Sequence, residues 1–234
     1  MQELEKQRKA FKRLLTLLIV LLVISLGMAL AILFYIKIPF QKTAELPVYG
    51  NVPEFSLIDQ EGEVFTRENL VGKIWVADFI FTNCGGTCPI MSAKMAKLQK
   101  ALPSSWNIKL VSISVDPERD TPEVLSQYAK NYGADQNRWI FLTGPKKEIV
   151  RLAQIGFHLS AGVTPNATVS KDEIPHSIKF VLVDQRGQIR GYYDGTDQEL
   201  QESIIHDVSY ESYISRIIAS TTCETIVMYL HTSV

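Results

Sequence analysis

Residues 73–89 read KIWVADFIFTNCGGTCP, and this stretch decides the fold. From Lys73 to Phe81 it is rich in Ile, Val, Trp and Phe, the composition of a strand buried on both faces. The strand runs directly into Asn83-Cys84-Gly85-Gly86-Thr87-Cys88-Pro89. Beyond Pro89 the period changes, with Ile90, Met91, Met95, Leu98 and Leu102 apolar at helical spacing. Proline suits the first position of a helix, where its missing N–H costs nothing. The spacing therefore predicts a helix starting just after Cys88, with Cys88 near its N-cap and Cys84 in the preceding loop.

On the N-terminal side, residues 54–58 and 63–66 flank Asp59-Gln60-Glu61-Gly62, a hairpin signal. On the C-terminal side the pattern predicts a strand over 107–115 and a helix opened by Thr121-Pro122-Glu123, with Thr121 as its cap. A short strand over 139–142, a helix over 146–155 and a long loop over 158–175 follow. A second hairpin, 177–183 and 188–193, turns at Asp184-Gln185-Arg186-Gly187, and a last helix covers 196 to about 218. Strands alternating with helices imply an α/β domain with a mainly parallel central sheet covered on both faces.

Residues 14–36 are almost wholly apolar and carry no charge. As a helix, about 23 residues reach roughly 34 Å, enough to cross a bilayer. A cleaved signal peptide has a shorter apolar core and a small-residue cleavage site, and no cysteine follows that could be lipidated. We read residues 1–13 as a basic cytoplasmic N-terminus and 14–36 as an uncleaved transmembrane anchor. Lys6, Arg8, Lys9, Lys12 and Arg13 precede the span, which directs the remainder outward, across a bacterial cell membrane. Residues 37–50, with Pro39, Pro47 and Gly50, form a linker. The domain occupies 51–218, and the role of the tail 219–234 is not legible. A net charge of -1 implies no general affinity for nucleic acid.

The chain has 3 cysteines, too few for a disulfide scaffold. Cys84 and Cys88 form a C-x-x-x-C pair. Gly85 and Gly86 keep the loop supple, so the sulfurs can meet as a disulfide or part to hold a metal ion. A helix N-terminus favours negative charge and raises the thiolate fraction. Thiolates serve both disulfide exchange and soft-metal binding, so the pair alone leaves both chemistries open. A structural disulfide would close a very short loop and stabilise little.

A third ligand would favour metal. His176, in Ile174-Pro175-His176-Ser177, sits between a long loop and a strand, a usual address for a site residue. A lone histidine is nevertheless more often structural or solvated, and His158, His206 and His231 are read so. Two thiolates and an imidazole suit Cu(I), or Cu(II) with further ligands. Zinc normally wants a fourth ligand, and nothing places Cys223 near the pair. Asp78, inside the first buried strand, is either a hydrogen-bonded structural acid or a proton carrier in disulfide exchange. Asp116, Glu118, Arg119 and Asp120 form either an ion-pair network near the site or a solvated helix-initiating loop.

Three segments together resemble one family. Residues 79–89, FIFTNCGGTCP, resemble the copper-site segment of the SCO/SenC family. Residues 114–122, SVDPERDTP, are similar to its second signature, and His176-Ser177 with Leu182-Val183-Asp184-Gln185-Arg186-Gly187 to its third. The resemblance implies a thioredoxin-like fold with an extra N-terminal β-hairpin and an insertion before the last β-hairpin, preceded by one transmembrane helix. It implies copper bound by Cys84, Cys88 and His176. It also implies a role in assembling the dinuclear copper centre of cytochrome c oxidase subunit II, as copper donor, as thiol–disulfide reductase of the target's cysteines, or as both. Another copper chaperone or a thiol–disulfide reductase is then a further partner. The Gly-Gly-Thr loop between the cysteines and the tail bearing Cys223 depart from the family pattern.

Overall fold

In the computed structural model, which describes residues 1–37, 45–159 and 177–231, the chain divides into two units, Met1–Glu45 and Leu46–Val234. In the first, helix α1 runs over Gln2–Lys37. Its window Phe11–Met28, with mean hydropathy 2.1, is long and apolar enough to cross a membrane. The helix also takes in the basic N-terminal segment, because Glu, Lys, Arg and Gln are good helix formers.

In the second unit the strands are β1 (Gly50–Asn51), β2 (Ser56–Asp59), β3 (Val64–Thr66), β4 (Ile74–Ile80), β5 (Ile108–Ser114), β6 (Trp139–Thr143), β7 (Lys179–Val183) and β8 (Gln188–Asp194). The helices are α2 (Thr87–Ala101), α3 (Pro122–Asn131), α4 (Lys146–Arg151) and α5 (Leu200–His231). Among the described residues the strands make one sheet in the order β1-β8-β7-β4-β5-β6-β2-β3.

The sheet is less parallel than the alternation of elements suggests. Only β4–β5 and β5–β6 pair parallel, joined through α2 and α3, while β7 and the hairpin strands pair antiparallel. A helical crossover returns the chain in the same direction, whereas a hairpin reverses it. Only two crossovers join neighbouring strands here, so the edges are antiparallel.

All seven residues of β4 are buried, since β5 and β7 flank it and both faces are covered. On one face Trp75, Ala77 and Phe79 pack with Ile113, Leu142, Ile149 and Phe157. The Phe157 ring meets Trp75 and Phe79 edge-on at 5.7 and 5.4 Å. On the other, Ile74, Val76 and Ile80 pack with Met91, Met95 and Leu98 of α2, Leu125 of α3, and Ile204 and Val208 of α5. Each such aliphatic side chain contributes about 1.5–3 kcal/mol by leaving water.

Several boundaries differ from the sequence pattern. Residues 195–199 are taken up by turns: Asp194 Oδ1 accepts the Thr196 N–H and hydroxyl, and Asp197 Oδ1 accepts the Glu199 N–H. The last helix therefore starts at Leu200 rather than 196, and it runs through the tail to His231. Part of the linker joins the sheet edge, where Gly50 and Asn51 pair with Ile189 and Gln188. The helix from Lys146 widens into a π turn over Leu152–Gly156, where Phe157 N–H donates to the Leu152 carbonyl.

Candidate metal centre

The chain leaves β4 at Ile80 and reaches Cys84 before α2 begins at Thr87. Cys88 therefore lies within the first turn rather than at the cap, and Pro89 occupies the third helical position. That position also lacks an intrahelical acceptor, so proline is tolerated there. Cys84 is half-buried and Cys88 buried, and both are free thiols.

The two thiols are electrostatically unequal. Desolvation works against the Cys84 thiolate, but the backbone N–H groups of Cys88, Gly86 and Thr87 and the Cys88 thiol donate to its sulfur. The balance lowers the Cys84 pKa. Burial pushes the Cys88 thiol up to about 12, against a backbone hydrogen bond from Phe81, with Cys84 and Asp78 adding to the rise. Of the two thiols, Cys84 is therefore the one that favours the thiolate, while Cys88 keeps its proton at neutral pH.

Beneath the cysteines the sheet is polar. Asp78 is fully buried, Oδ1 accepting the Ser112 hydroxyl at 2.6 Å, and Ser112 Oγ accepts Trp139 Nε1–H at 2.9 Å. Asp78 Oδ2 meets no hydrogen-bond donor among the described residues. Burial raises this carboxyl to about 7, with the Ser112 bond opposing. On the same face Ser92 and Tyr128 share a hydrogen bond of 2.9 Å.

The acidic segment after β5 divides in two. Arg119 pairs with Asp116 at 3.1 Å, and the Arg119 side chain is 69% exposed, so this is a surface pair of small energetic weight. Asp120 is fully buried and bonds to Thr82 and Ser114. Thr82 and Ser114 lie inside the signature segments 79–89 and 114–122, but their residue types do not mark them out; Asp120 is 38 positions from Thr82 and 6 from Ser114.

His176 lies outside the described residues. The described chain resumes at Ser177 and enters β7 at Lys179. Because β7 pairs antiparallel with β4 (Ala77 opposite Val181), its first residues stand at the end of the sheet where β4 runs out toward Cys84. A cavity of about 330 Å³ is lined jointly by Thr87, Ile90 and Met91 of α2 and by Ile178 and Gly195. Gly195 N–H donates to the Ile178 carbonyl at 2.6 Å, and a Cβ on Gly195 would fall 2.5 Å from that oxygen, so only glycine fits. Lys94 Nζ donates to the Gly195 and Asp197 carbonyls, both at 2.6 Å, tying this wall to α2.

Among the described residues no group of three His, Cys, Asp or Glu side chains is placed to hold a metal. The described donors at this site are the two sulfurs. His206 pairs with Asp207 at 2.9 Å on an exposed helix face, and His158 is exposed with a left-handed φ of 51°. Cys223 and His231 fall in α5, and their side chains are not among those described.

The SCO1/SenC family pattern matches residues 46–211. The SCO1 protein homolog of Bacillus subtilis (strain 168) is 37% identical over 172 residues, spanning 71% of this chain and 85% of its own. BsSco, described as a member of the Sco family of cytochrome c oxidase assembly proteins with a disulfide switch, superposes with a TM-score of 0.61 at 36% identity, covering 72% of this chain and 97% of its own. Arabidopsis thaliana ScoI, solved with copper bound, gives a TM-score of 0.54 at 29% identity, covering 68% of this chain and 98% of its own. The thioredoxin-like fold expected from the motifs is the fold of these proteins. With its pattern matched over most of the second unit, the chain belongs to the SCO1/SenC family.

Proposed function

We propose that this chain is a membrane-anchored copper carrier for assembly of cytochrome c oxidase. Its ligands are Cys84, Cys88 and His176, and its destination is the dinuclear copper centre of subunit II. The observation that carries this reading is the shared cavity wall, where Thr87, next to Cys88, faces the same space as Ile178, two residues beyond His176. Two sulfurs, one of them already favouring the thiolate, form a soft donor pair, and a third ligand from the β7 entry suits copper. Copper is the cargo here. The copper-bound Arabidopsis relative supports the choice of metal.

The apolar window in α1 supports anchoring, and the basic residues before it support a cytoplasmic N-terminus with the second unit extracytoplasmic. On this reading residues 1–13, 14–36, 37–50 and 51–218 serve as basic flank, anchor, linker and copper-binding domain.

Copper titration of the reduced full chain in detergent tests the proposal. The expected result is a thiolate-to-Cu(II) charge-transfer band that saturates at one equivalent. Absence of stoichiometric binding overturns it.

The unequal thiols favour a second reading, reduction of the target's own copper-ligand cysteines. The Cys84 thiolate attacks one sulfur of the target disulfide and expels the other as a thiolate. Cys88 then loses its proton and attacks Cys84 Sγ, releasing the second target thiolate and leaving a Cys84–Cys88 disulfide. Two electrons pass to the target. Full oxidase assembly with His176→Ala would favour this reading over the carrier.

A further inference from the structure

Asp120 stands at the junction between the acidic segment after β5 and the cysteine loop. Its Oδ2 accepts the Thr82 backbone N–H at 3.1 Å and the Ser114 hydroxyl at 2.5 Å, and its Oδ1 accepts the Thr82 hydroxyl at 2.5 Å. The carboxylate is fully buried, and all three donors point at it. Ser114 ends β5 and also accepts the Asp116 N–H at 3.1 Å, while Val115 N–H donates to the Ile80 carbonyl at 2.8 Å. The end of β5 is thus clamped to the end of β4, and the clamp reaches two residues beyond β4. Thr82 is separated from Cys84 by Asn83 alone. The next four residues, Asn83 to Gly86, are otherwise exposed or half-exposed and include two glycines.

We infer that Asp120 is a positioning residue for Cys84. By gripping both the backbone and the hydroxyl of Thr82, it fixes the last point before the supple loop and holds the Cys84 sulfur over the amide groups that open α2. The inference deepens the function proposed above, since it rests on Cys84 being the reactive sulfur there. Bonds to a buried carboxylate are charge-assisted and strong, so the clamp resists the slack that Gly85 and Gly86 introduce. Asparagine keeps the shape but loses the charge. With its oxygen facing the Thr82 N–H and the Ser114 hydroxyl, its NH₂ meets the Thr82 hydroxyl, which must turn from donor to acceptor, and the charge-assisted bonds are gone.

The test is the rate at which iodoacetamide alkylates Cys84 in the reduced, metal-free full chain at a fixed neutral pH, resolved by peptide mass spectrometry. Asp120→Asn and Thr82→Val should each slow Cys84 about tenfold while the near-ultraviolet circular dichroism stays native. Thr82→Ser, which keeps the hydroxyl, should restore the wild-type rate. A residue that only held the fold together would lower the melting temperature and leave the Cys84 rate of the folded chain unchanged. Wild-type rates in both Thr82→Val and Asp120→Asn overturn the inference, as does a Thr82→Ser chain as slow as Thr82→Val. No copper enters the assay. A wild-type chain that takes up no copper therefore defeats the carrier reading alone, and slowed alkylation in the two variants supports the clamp independently.

Discussion

Asp78 and Ser112 face each other across β4 and β5 in register, with the Ser112 hydroxyl donating to the carboxyl at 2.6 Å in the middle of the sheet. One carboxyl oxygen is thereby satisfied, and the other is buried without a donor among the described residues. Such a group is costly as an anion and acceptable as a neutral acid.

Stability should therefore fall as pH rises through this group. The folded-state pKa is about 7 against an ordinary value of 3.8, so the folded chain binds the proton more tightly. The contribution is fully present below about pH 4, declines between about pH 4 and 7, and is flat above. Asp78→Asn should remove that decline and raise stability at pH 8 by a few kcal/mol. Urea unfolding at pH 5 and pH 8 measures it. Identical pH dependence in the two proteins would show that Asp78 is ionised in the folded chain.

The two site cysteines should react at very different rates. Cys84 is half-buried with a lowered pKa, whereas Cys88 is buried with its thiol at about 12. Limited alkylation at pH 7 should label Cys84 at least about tenfold faster than Cys88. Equal labelling would contradict the amide-to-sulfur bonds at the start of α2.

His176→Ala should weaken copper binding by at least about tenfold, since even the outer partners of metal ligands commonly account for that much. The melting temperature of the metal-free chain should stay within a few degrees. Competition against a chelator of known affinity reads the first, and calorimetry the second. Unchanged affinity removes His176 from the site.

Gly195→Ala should destabilise the chain by about 1–3 kcal/mol, because the added methyl would sit 2.5 Å from the Ile178 carbonyl and force the two segments apart. Since Ile178 lies two residues past His176, copper affinity should fall as well. Thermal melting with and without copper separates the two effects.

The sequence made β4 and α2 legible because their signals are local. One is a continuous apolar run, the other a 3.6-residue period, and both recur where expected. The Thr121 cap was equally legible, and its hydroxyl accepts the Val124 N–H at 3.4 Å. Strand β1 was not: Gly50, the last residue of the proline-bearing linker, and Asn51 become a strand only because β8 lies beside them. Thr82 was hidden because what distinguishes it is a partner 38 positions away, and Ser114, 6 positions from the same Asp120, carries no local pattern that marks it. The sulfur pair announced itself through spacing, but His176 stood out only through the family motifs, and it lies outside the described residues.

The place of β7 bears on the order in which the molecule acquires its site. Val111 and Ile140 pair with strands only some thirty residues away, whereas Val181 must find Ala77 about a hundred residues upstream. Contacts of long sequence separation form late, because the chain entropy of closing the loop is spent before they stabilise anything. During folding the thiols should therefore be in place before β7 docks beside β4. The refolding chain should then pass through an interval in which its sulfurs are accessible and the β7 entry is not yet paired. Pulsed alkylation during refolding should label Cys88 early and spare it once β7 has docked; protection that precedes docking would reverse that order.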